Sequence, residues 1–528
     1  MAEPIKFYKD QYDVIVIGGS LAGMSCAMKL ASEGKSVLIL ERHNLPGGIA
    51  TSFVRDGHEM EATLHEMMSI GPENDRLPIG KYLDDMKVAI KWLRVPEAYR
   101  MLVKPDGIDI TLHAGKDKDG VYIAAKEIQE KYGKEFPDYD LQGNVDKLLH
   151  LCNEVMNSVN YLNDHTASKL ELLKHHEGLA KTAGYSAKEV MDSFKLPQKI
   201  QDVLSAYWIY VGQPTSNLPF TIYAFLMGDY MTGGSYVADD FSHGISVAML
   251  EKCRELGVQC EFSTEVTKIL VKDGKAYGVK TRHGDEVHGK YIVSGIYPDA
   301  VFGHMIEPAS EVPSEAVKLY HARKESVTCF SVVMLLDKKP EELNIHEYSV
   351  FDSDIHFDQE EFWKEGKHLG NWHYLTTICL NYANPKGVPE GMTSLSITEL
   401  PLPECFFGVK ADDYFNVKRK YAKELIDHVS KYLGVNLLDH VVEIEVETPV
   451  TISHYSGQYR GGVYGYQHSM DDSVVARLDS YGKEHYVKNL TWASSATLAG
   501  NGMAVNINNG RIAAQVIDTW EKEEKEGK

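Results

Sequence analysis

The segment IGGSLAG near the N-terminus has the residue types and the spacing that hold a pyrophosphate. Gly18 allows a tight turn out of a strand, and Gly23 lets the following helix pack against that strand. Ser20 stands where the motif usually has its second glycine. Serine is small, and its hydroxyl can donate a hydrogen bond to a phosphate oxygen. Leu21 and Ala22 open the helix, whose N-terminal amide groups and positive dipole end favour an anion.

An acidic residue follows at the distance expected for a ribose contact. Glu41 lies 23 positions after Gly18, where a carboxylate accepts hydrogen bonds from ribose hydroxyls. This position favours a nucleotide without a 2′-phosphate. Arg42 comes next and could instead meet such a phosphate, but an arginine there more often stacks on adenine or faces solvent.

A β-α-β unit must position these residues, and the sequence around them predicts one. Residues 12–17 form an apolar run typical of a buried parallel strand, and apolar side chains recur at helical spacing over residues 21–33. Residues 36–40 predict a second buried strand. The glycine spacing alone is weak support for a nucleotide site. Strand, glycines, helix, strand and terminal acid together favour a nucleotide site over a plain structural unit.

The rest of the chain alternates helical and strand-rich stretches. Residues 140–205 predict helices, and from Val258 short strands are separated by the hairpin signals Asp273-Gly274 and His283-Gly284. The further predicted elements are strands at 290–294, 326–336 and 372–400, a helix at 413–433 and a last helix from about Asn508. This order predicts one sheet assembled from distant segments, a second domain inserted in two pieces, and a ligand cavity at the interface.

Composition excludes several classes of protein. The 528 residues carry a formal net charge of -21, which argues against nucleic acid and, weakly, against anionic lipid surfaces. Seven scattered cysteines without a C-x-x-C pair indicate free thiols in a reducing compartment. We find no signal peptide, no apolar run of membrane-spanning length, no metal-binding motif and no P-loop. We therefore expect a cytoplasmic protein without a metal.

Longer motifs resemble one family. LPGGIATSFVRDGHEMEA after Glu41, the block from GISVAMLEKC to GKYIVSG, and the closing KNLTWASSATLAGNGMAVNINNGRIAA resemble phytoene desaturases, carotenoid isomerases and retinol saturases of the flavin amine oxidase superfamily. The resemblance covers nearly the whole chain and implies FAD as cofactor. It implies an α/β fold: a Rossmann-like FAD-binding domain, with a parallel sheet and a β-meander, and an inserted α+β substrate domain. We expect the first from residues 1–75, 231–305 and 445–528, and the second from 76–230 and 306–444.

The resemblance also assigns residues to the cofactor. It places Gly47 and Gly48 along the pyrophosphate, with Thr51 in the hydroxyl-bearing segment that follows. The Glu265-Val266 pair would set backbone atoms of Val266 against adenine. In the closing block, the chain passes the ribityl and flavin ring and then starts a helix, through Gly500, Met503 and Ala504. The closing block departs from the family where NLTWASSA replaces NLYLAG, and the earlier segment departs where Met60-Glu61-Ala62-Thr63 stands in place of FDTG or FDVG.

Three residues are candidates for the chemistry. His65 aligns with a histidine of the retinol-saturase-like branch near the flavin, where an imidazole can move protons near neutral pH. It could equally hydrogen-bond the cofactor or close a helix. Glu66 is the second candidate, because burial raises a carboxyl pKa. Tyr464 is the third candidate, because the family brings its segment to the flavin; Tyr466 would share its face if the segment is extended.

Two aromatic groups could line a tunnel or belong to the ordinary core. One comprises Tyr207, Trp208, Tyr210, Phe220, Tyr223 and Phe225. In the other, Trp372 and Tyr374 share one strand face and His373 lies on the opposite face.

The resemblance implies saturation, desaturation or isomerisation of carbon-carbon double bonds in an apolar, elongated substrate such as a carotenoid, retinoid or unsaturated fatty acid. Because only one dinucleotide motif is present, three possibilities stay open: an external electron donor, NAD(P)H bound without a motif, or a redox-neutral reaction. The alternatives are an oxidase of a small amine and a non-catalytic flavin-bearing protein that binds an apolar ligand. Peripheral membrane contact also stays open.

Overall fold

The fold is taken from a computed structural model of the chain. The structure describes residues 9–62, 66–164, 169–370, 374–473, 477, 485–496, 500 and 502–527.

Strands occur along the whole described chain. In order, they are β1 (Gln11–Ile17), β2 (Val37–Leu40), β3 (Ser52–Arg55), β4 (His58–Glu61), β5 (Trp92–Arg94), β6 (Tyr99–Val103), β7 (Ile108–Leu112), β8 (Tyr236–Ala238), β9 (Gln259–Glu261), β10 (Val266–Lys272), β11 (Lys275–Thr281), β12 (Glu286–Ser294), β13 (Ile306–Glu307), β14 (Phe330–Leu336), β15 (Ser349–Ser353), β16 (Leu375–Cys379), β17 (Thr393–Glu399), β18 (Val441–Glu447) and β19 (Leu490–Trp492).

Helices connect and cover these strands. In order, the α-helices are α1 (Leu21–Ser32), α2 (Pro78–Asp85), α3 (Ile123–Tyr132), α4 (Leu141–Asp164), α5 (Lys169–His175), α6 (Glu177–Thr182), α7 (Ala187–Ser193), α8 (Gln198–Leu204), α9 (Phe220–Gly233), α10 (Phe241–Glu255), α11 (Pro298–Ala300), α12 (Ser314–Ala322), α13 (Gln359–Glu365), α14 (Tyr414–Leu433), α15 (Pro449–Ser456) and α16 (Met503–Glu526). Among the described residues, none of these helices combines the length and hydropathy that crossing a bilayer requires.

The first sheet is assembled from distant segments, as the sequence predicts. Its strand order is β13-β10-β11-β12-β1-β2-β9, and β19 also pairs with β12. β1 is parallel to both β12 and β2, whereas β10, β11 and β12 form an antiparallel meander. The hairpin at Asp273-Gly274 has positive φ at both residues, as a type I′ turn requires.

Both faces of β1 are buried, which explains its continuous apolar sequence. Val14 and Val16 pack with residues of α1, α10 and α16, whereas Ile15 and Ile17 pack with the meander on the other face. α1 also lies tightly against α16, because a Cβ added at Gly510 would meet the carbonyl oxygen of Ala22 at 2.1 Å.

The second sheet has the strand order β18-β14-β17-β16-β15-β6-β7. α14 covers one face, where Leu425 and Val429 pack with Phe330 and Leu395. Two strands bear on the predicted domain boundaries. β13 pairs with β10 of the first sheet beyond residue 305, and β18 carries the second sheet to Glu447. The boundaries themselves stay a prediction.

Several predicted elements agree with the structure, and one helix start was wrong. α4 to α8 occupy residues 140–205, and α14 fills 413–433. The last helix begins at Met503, five residues before the predicted start near Asn508. Gly502 is the N-cap, and its φ of 90° and ψ of 155° are not helical, so the helix starts directly after it. The apolar periodicity of the sequence becomes clear only further along the helix and therefore indicated a later start.

Candidate functional site

A cavity of about 940 Å³ lies between the two sheets and reaches the loops that follow β1, β2, β12 and β19. One half is lined by the glycine loop, the start of α16 and Val266. The other half is lined by residues around Glu66, by α9, and by the second sheet. The carboxyl ends of parallel strands therefore open into the cavity, where α/β sheets bind ligands.

The glycine loop has the geometry of a phosphate cradle. Gly18 takes φ +103°, and a Cβ on Gly23 would lie 2.1 Å from the carbonyl oxygen of Gly18. Ser20 is the N-cap of α1: its Oγ accepts a hydrogen bond of 3.3 Å from the amide of Gly23. Because the hydroxyl acts there as an acceptor, its own hydrogen stays available for a phosphate oxygen. Gly18, Ser20, Leu21 and Ala22 line the cavity, while Gly23 only lets the helix approach.

Glu41 holds the end of β2 against the glycine loop. Its Oε2 accepts from the amide of Gly19 at 2.7 Å, and its Oε1 accepts from the amide of His43 at 2.7 Å. Each carboxylate oxygen has a further lone pair, so a ribose hydroxyl can still donate to it. Sequence reasoning gave Glu41 only the ribose contact and missed the structural one.

Arg42 is exposed to solvent, which is one of the two surroundings predicted for it. The sequence did not indicate which groups its guanidinium contacts. Its Nη2 donates to the carbonyl oxygens of His454 and Tyr455, both at 2.9 Å, at the last turn of α15. A cation is stabilised there by the negative end of the helix dipole. Arg42 lines the cavity and attaches α15 to the nucleotide half.

Paired glycines lie over the glycine loop. Gly47 has φ +106°, and its amide donates to the carbonyl oxygen of Gly19 at 2.8 Å. A Cβ there would lie 2.2 Å from Oγ of Ser246. Gly48 has φ +64° and lies above Ser20. The close contact excludes a side chain at Gly47, and the left-handed φ favours glycine at Gly48. Both line the cavity together with Thr51.

A second helix N-terminus faces the same space. α16 starts at Met503, which lines the cavity together with Gly502 and Ala504. Gly500 does not line it. Gly500 packs behind the cavity, where a Cβ would lie 2.2 Å from Nε2 of His468. With α1 and α16 both directing amide groups inward, the cavity offers two positive dipole ends to an anion such as a pyrophosphate.

The adenine side is marked by the hairpin of β10 and β11. Val266 lines the cavity, and Thr281 is its partner in the antiparallel register. The carbonyl oxygen of Glu265 accepts a hydrogen bond from the amide of Arg282 at 2.8 Å. That backbone is therefore held rigidly at the cavity edge.

The three catalytic candidates have different outcomes. His65 lies outside the described residues. Glu66 lines the cavity and is only 7% exposed. Burial raises the pKa of its carboxyl to about 8, partly offset by hydrogen bonding to Ser235, Tyr210 and Tyr207. At neutral pH the Glu66 side chain is therefore mainly a neutral carboxylic acid.

Tyr464 lines the cavity, but Tyr466 does not. The expectation that they share a face was wrong, because Gly465 between them has φ +69° and turns the chain. Tyr466 instead donates its hydroxyl to Oδ1 of Asp299 at 2.9 Å and packs in the meander core. Burial raises the pKa of Tyr464, so it is a neutral phenol.

The aromatic groups mostly belong to the core. Of the six residues between Tyr207 and Phe225 named above, Tyr210 lines the cavity and the rest pack around it. Tyr374 is buried and donates to the carbonyl oxygen of Ala206 at 2.9 Å. Trp372 and His373 lie outside the described residues.

Sequence reasoning missed several lining residues. They come from α9 and from one face of β14 and β17, and they include Leu226, Tyr230, Cys329, Ser331, Thr398 and Leu400. Ser331 and Thr398 share a hydrogen bond of 2.7 Å. Small polar residues within otherwise apolar strands were an available signal, since a buried strand seldom carries them without a partner.

Comparison with known proteins identifies the family. The sequence model of the family described as "Flavin containing amine oxidoreductase" matches residues 21–518. The chain belongs to this family of flavin-dependent enzymes. Its cofactor is FAD, and the cradle fits it: two helix N-termini for the pyrophosphate, glycines where a side chain would intrude, and Glu41 for a ribose. When bound, FAD supplies reversible two-electron transfer.

The chain is similar in sequence to an isomerase and a reductase, and similar in structure to an amine oxidase. Prolycopene isomerase 1, chloroplastic, of an Oncidium hybrid cultivar is 25% identical over 474 residues, 86% of this chain and 75% of the relative. All-trans-retinol 13,14-reductase of Danio rerio is 22% identical over 489 residues, which cover 87% of this chain and 78% of the relative. The solved cyclohexylamine oxidase of Brevibacterium oxydans IH-35A superposes with a TM-score of 0.56 at 13% identity, covering 97% of this chain and 99% of its own, which shows a common fold.

Proposed function

We propose that this flavoenzyme acts on a carbon-carbon double bond of an apolar molecule, by saturation, desaturation or isomerisation. One observation carries the proposal: beyond the cofactor half, the cavity continues into a chamber that combines apolar walls with a neutral carboxylic acid, Glu66. The apolar walls are formed by Met67, Met68, Leu226, Leu400 and Val463. An apolar chain gains from such walls, and the acid offers a proton next to it.

The names of the relatives support the same chemistry. One isomerises prolycopene and another reduces retinol. The superposed amine oxidase supports the fold alone. Double-bond chemistry is therefore favoured over oxidation of a small amine, and over a non-catalytic carrier.

We assign roles to the residues of the chamber as part of this proposal. Glu66 gives or receives a proton, because its pKa of about 8 keeps both forms accessible near neutral pH. Tyr464 orients the substrate over the flavin side of the cavity through its hydroxyl. His65 remains a predicted second proton donor.

Further assignments belong to the proposal as well. The substrate is a lipid-like molecule and the location is the cytoplasm, while peripheral contact with a membrane stays open. The electron donor is either an external protein or NAD(P)H, unless the reaction is redox-neutral.

Mass spectrometry tests the reaction. Purified FAD-loaded protein is incubated anaerobically with a polyene, a retinoid and an unsaturated fatty acid, each with and without NADPH. A product two mass units heavier indicates saturation, and one two units lighter indicates desaturation. An unchanged mass with a new retention time indicates isomerisation. Glu66→Gln is expected to lower turnover by about 100-fold, whereas Glu130→Gln, on the exposed side of α3, serves as the matched control. Peroxide release from primary amines without any change in the alkenes would overturn the proposal.

A further inference from the structure

A strained turn follows the residues that bring Glu66 into the cavity. Ser69 has φ +67°, a conformation that a residue with a Cβ adopts only where the surrounding structure enforces it. Strain of this kind is found mostly at functional sites. Glu66, Met67 and Met68 precede the turn, and all three line the cavity. The turn at Ser69 therefore sets the position of one wall of the substrate chamber.

Asp229 holds the amide side of this turn. It lies in α9 and has no exposed surface. Its Oδ1 accepts a hydrogen bond of 2.7 Å from the amide of Ser69. Burial raises the pKa of Asp229 to about 6, and the hydrogen bonds from Ser69 lower it in part. The carboxyl is therefore mainly ionised at neutral pH, and an ionised acceptor makes a hydrogen bond about twice as strong as a neutral one.

α2 holds the carbonyl side of the turn. The carbonyl oxygen of Ser69 accepts from the amides of Ile79 and Gly80, both at 3.0 Å. These amides belong to the first turn of α2, whose N-cap Leu77 makes no side-chain hydrogen bond there. Because the carbonyl is fixed on α2, a change in the φ of Ser69 moves the residues before it, which are those of the chamber wall. Loss of the bond to Asp229 would allow that change.

α9 and β8 also hold Glu66 more directly. Oγ of Ser235 donates to Oε2 of Glu66 at 2.7 Å, and Met67 exchanges two backbone hydrogen bonds of 2.8 and 3.0 Å with Tyr236. The titratable groups that face Glu66 are Glu97, Tyr207, Tyr210, Tyr230 and Tyr348. None of these five is a cation, so the protonation of Glu66 depends on how deeply the turn buries it.

We infer that Asp229 is a positioning residue for the reaction: through the amide of Ser69 it fixes the turn that holds Glu66 and the neighbouring methionines against the substrate. This inference rests on the proposed function, in which Glu66 transfers the proton. Asp229 itself does not line the cavity, so it acts through this segment. Displacement of a catalytic group by about 1 Å lowers a rate about 100-fold.

Infrared difference spectroscopy tests the position of Glu66 without turnover. The FAD-loaded protein is titrated from about pH 5 to pH 9, and the carboxyl band of protonated Glu66 is the one that Glu66→Gln removes. Its midpoint in the wild type should lie near the pKa of about 8. Asp229→Leu should lower the midpoint to about 6, because a displaced carboxyl gains water. Asp229→Asn keeps an acceptor for the amide of Ser69 and should retain the wild-type midpoint.

Asp146→Leu is the matched control. Oδ1 of Asp146 accepts a hydrogen bond of 2.9 Å from the amide of Tyr122, which is a bond of the same kind between residues that do not line the cavity. This variant should leave the midpoint of Glu66 unchanged. Flavin absorption verifies that each variant is folded, and Asp229→Ala takes the place of Asp229→Leu if the leucine variant does not retain flavin.

Turnover shows whether Asp229 acts through Glu66. Asp229→Leu should lower turnover of the alkene about 100-fold, whereas Asp229→Asn should lower it less than about threefold. In the Glu66→Gln background, Asp229→Leu should cost little more, because two residues that serve one step are not additive. A full further loss in that background would overturn the inference.

The spectroscopic outcomes separate this inference from the proposed function. An unchanged midpoint in Asp229→Leu contradicts the inference, and so does an equal fall in Asp229→Asn or in Asp146→Leu. If alkenes are converted while the midpoint does not move, the positioning role fails and the proposed function stands. If the midpoint falls in Asp229→Leu alone but no alkene is converted, the proposed function fails and the positioning of Glu66 stands.

Discussion

The amide of Gly19 donates a hydrogen bond of 2.7 Å to Oε2 of Glu41, which joins the loop after β1 to the end of β2. The same carboxylate also accepts from the amide of His43. One side chain thus shapes the phosphate cradle and offers the ribose contact. Replacement of Glu41 should therefore lower the stability of the protein even before FAD binds.

Glu41→Gln is expected to lower the free energy of unfolding of the FAD-free protein by about 1–3 kcal/mol, because an amide NH₂ would face a backbone N–H that now meets a carboxylate. FAD affinity should fall at least tenfold. Urea denaturation and flavin-fluorescence titration measure the two effects. Unchanged stability together with weakened FAD binding would mean that Glu41 serves the ribose alone.

Gly510→Ala should separate α1 from α16. The new methyl group would lie 2.1 Å from the carbonyl oxygen of Ala22 and 2.8 Å from Cβ of Ser25. Overpacking of this kind costs about 1–3 kcal/mol, and it shifts both helix N-termini that face the pyrophosphate. We expect a lower melting temperature and weaker FAD binding by calorimetry. Gly184→Ala is the control, since no atom lies within 4 Å of a Cβ there; a similar loss in both variants would argue against helix contact as the cause.

Glu66 should make the protein less stable as pH rises. Its pKa is raised from 4.5 to about 8 in the folded state. Between these values the unfolded chain ionises while the folded chain stays protonated, so unfolding releases a proton. The free energy of unfolding should therefore fall by up to about 1.4 kcal/mol per pH unit in this window. Urea denaturation of wild type and Glu66→Gln at pH 5, 6, 7 and 8 isolates this contribution from that of other buried carboxyls. Parallel pH profiles would show that Glu66 ionises normally.

Arg42→Ala should loosen α15 in the FAD-free protein. The guanidinium donates to two carbonyl oxygens at the helix end, and hydrogen exchange of residues 453–459 should become faster. FAD should also dissociate about tenfold faster, which corresponds to the loss of one charge-assisted hydrogen bond. Arg419→Ala, on the exposed side of α14, should change neither. If exchange stays constant while FAD dissociates faster, Arg42 acts on the nucleotide directly.

The sequence by itself determined the parts whose causes are local. Strand β1, the glycine turn, α1 and β2 follow one another within about thirty residues, so apolar periodicity and glycine spacing predict them directly. The Asp273-Gly274 hairpin and α14 were predicted for the same reason. A resemblance in longer motifs then indicated the family and FAD, both of which the comparisons confirm.

Only the tertiary structure decided which side chains reach the cavity. His176 lies in a polar stretch of sequence, yet it is buried, with Nδ1 3.0 Å from Oγ of Ser158, because α4 packs against α6, whose N-cap is His176. Likewise, a single positive φ at Gly465 sends Tyr464 into the cavity and Tyr466 away from it. Burial raises the pKa of Glu66, and hydrogen bonding to Ser235, Tyr210 and Tyr207, all more than a hundred positions away in the chain, lowers it in part. Burial and charge depend on contacts between distant segments, and periodicity within one segment carries no information about them.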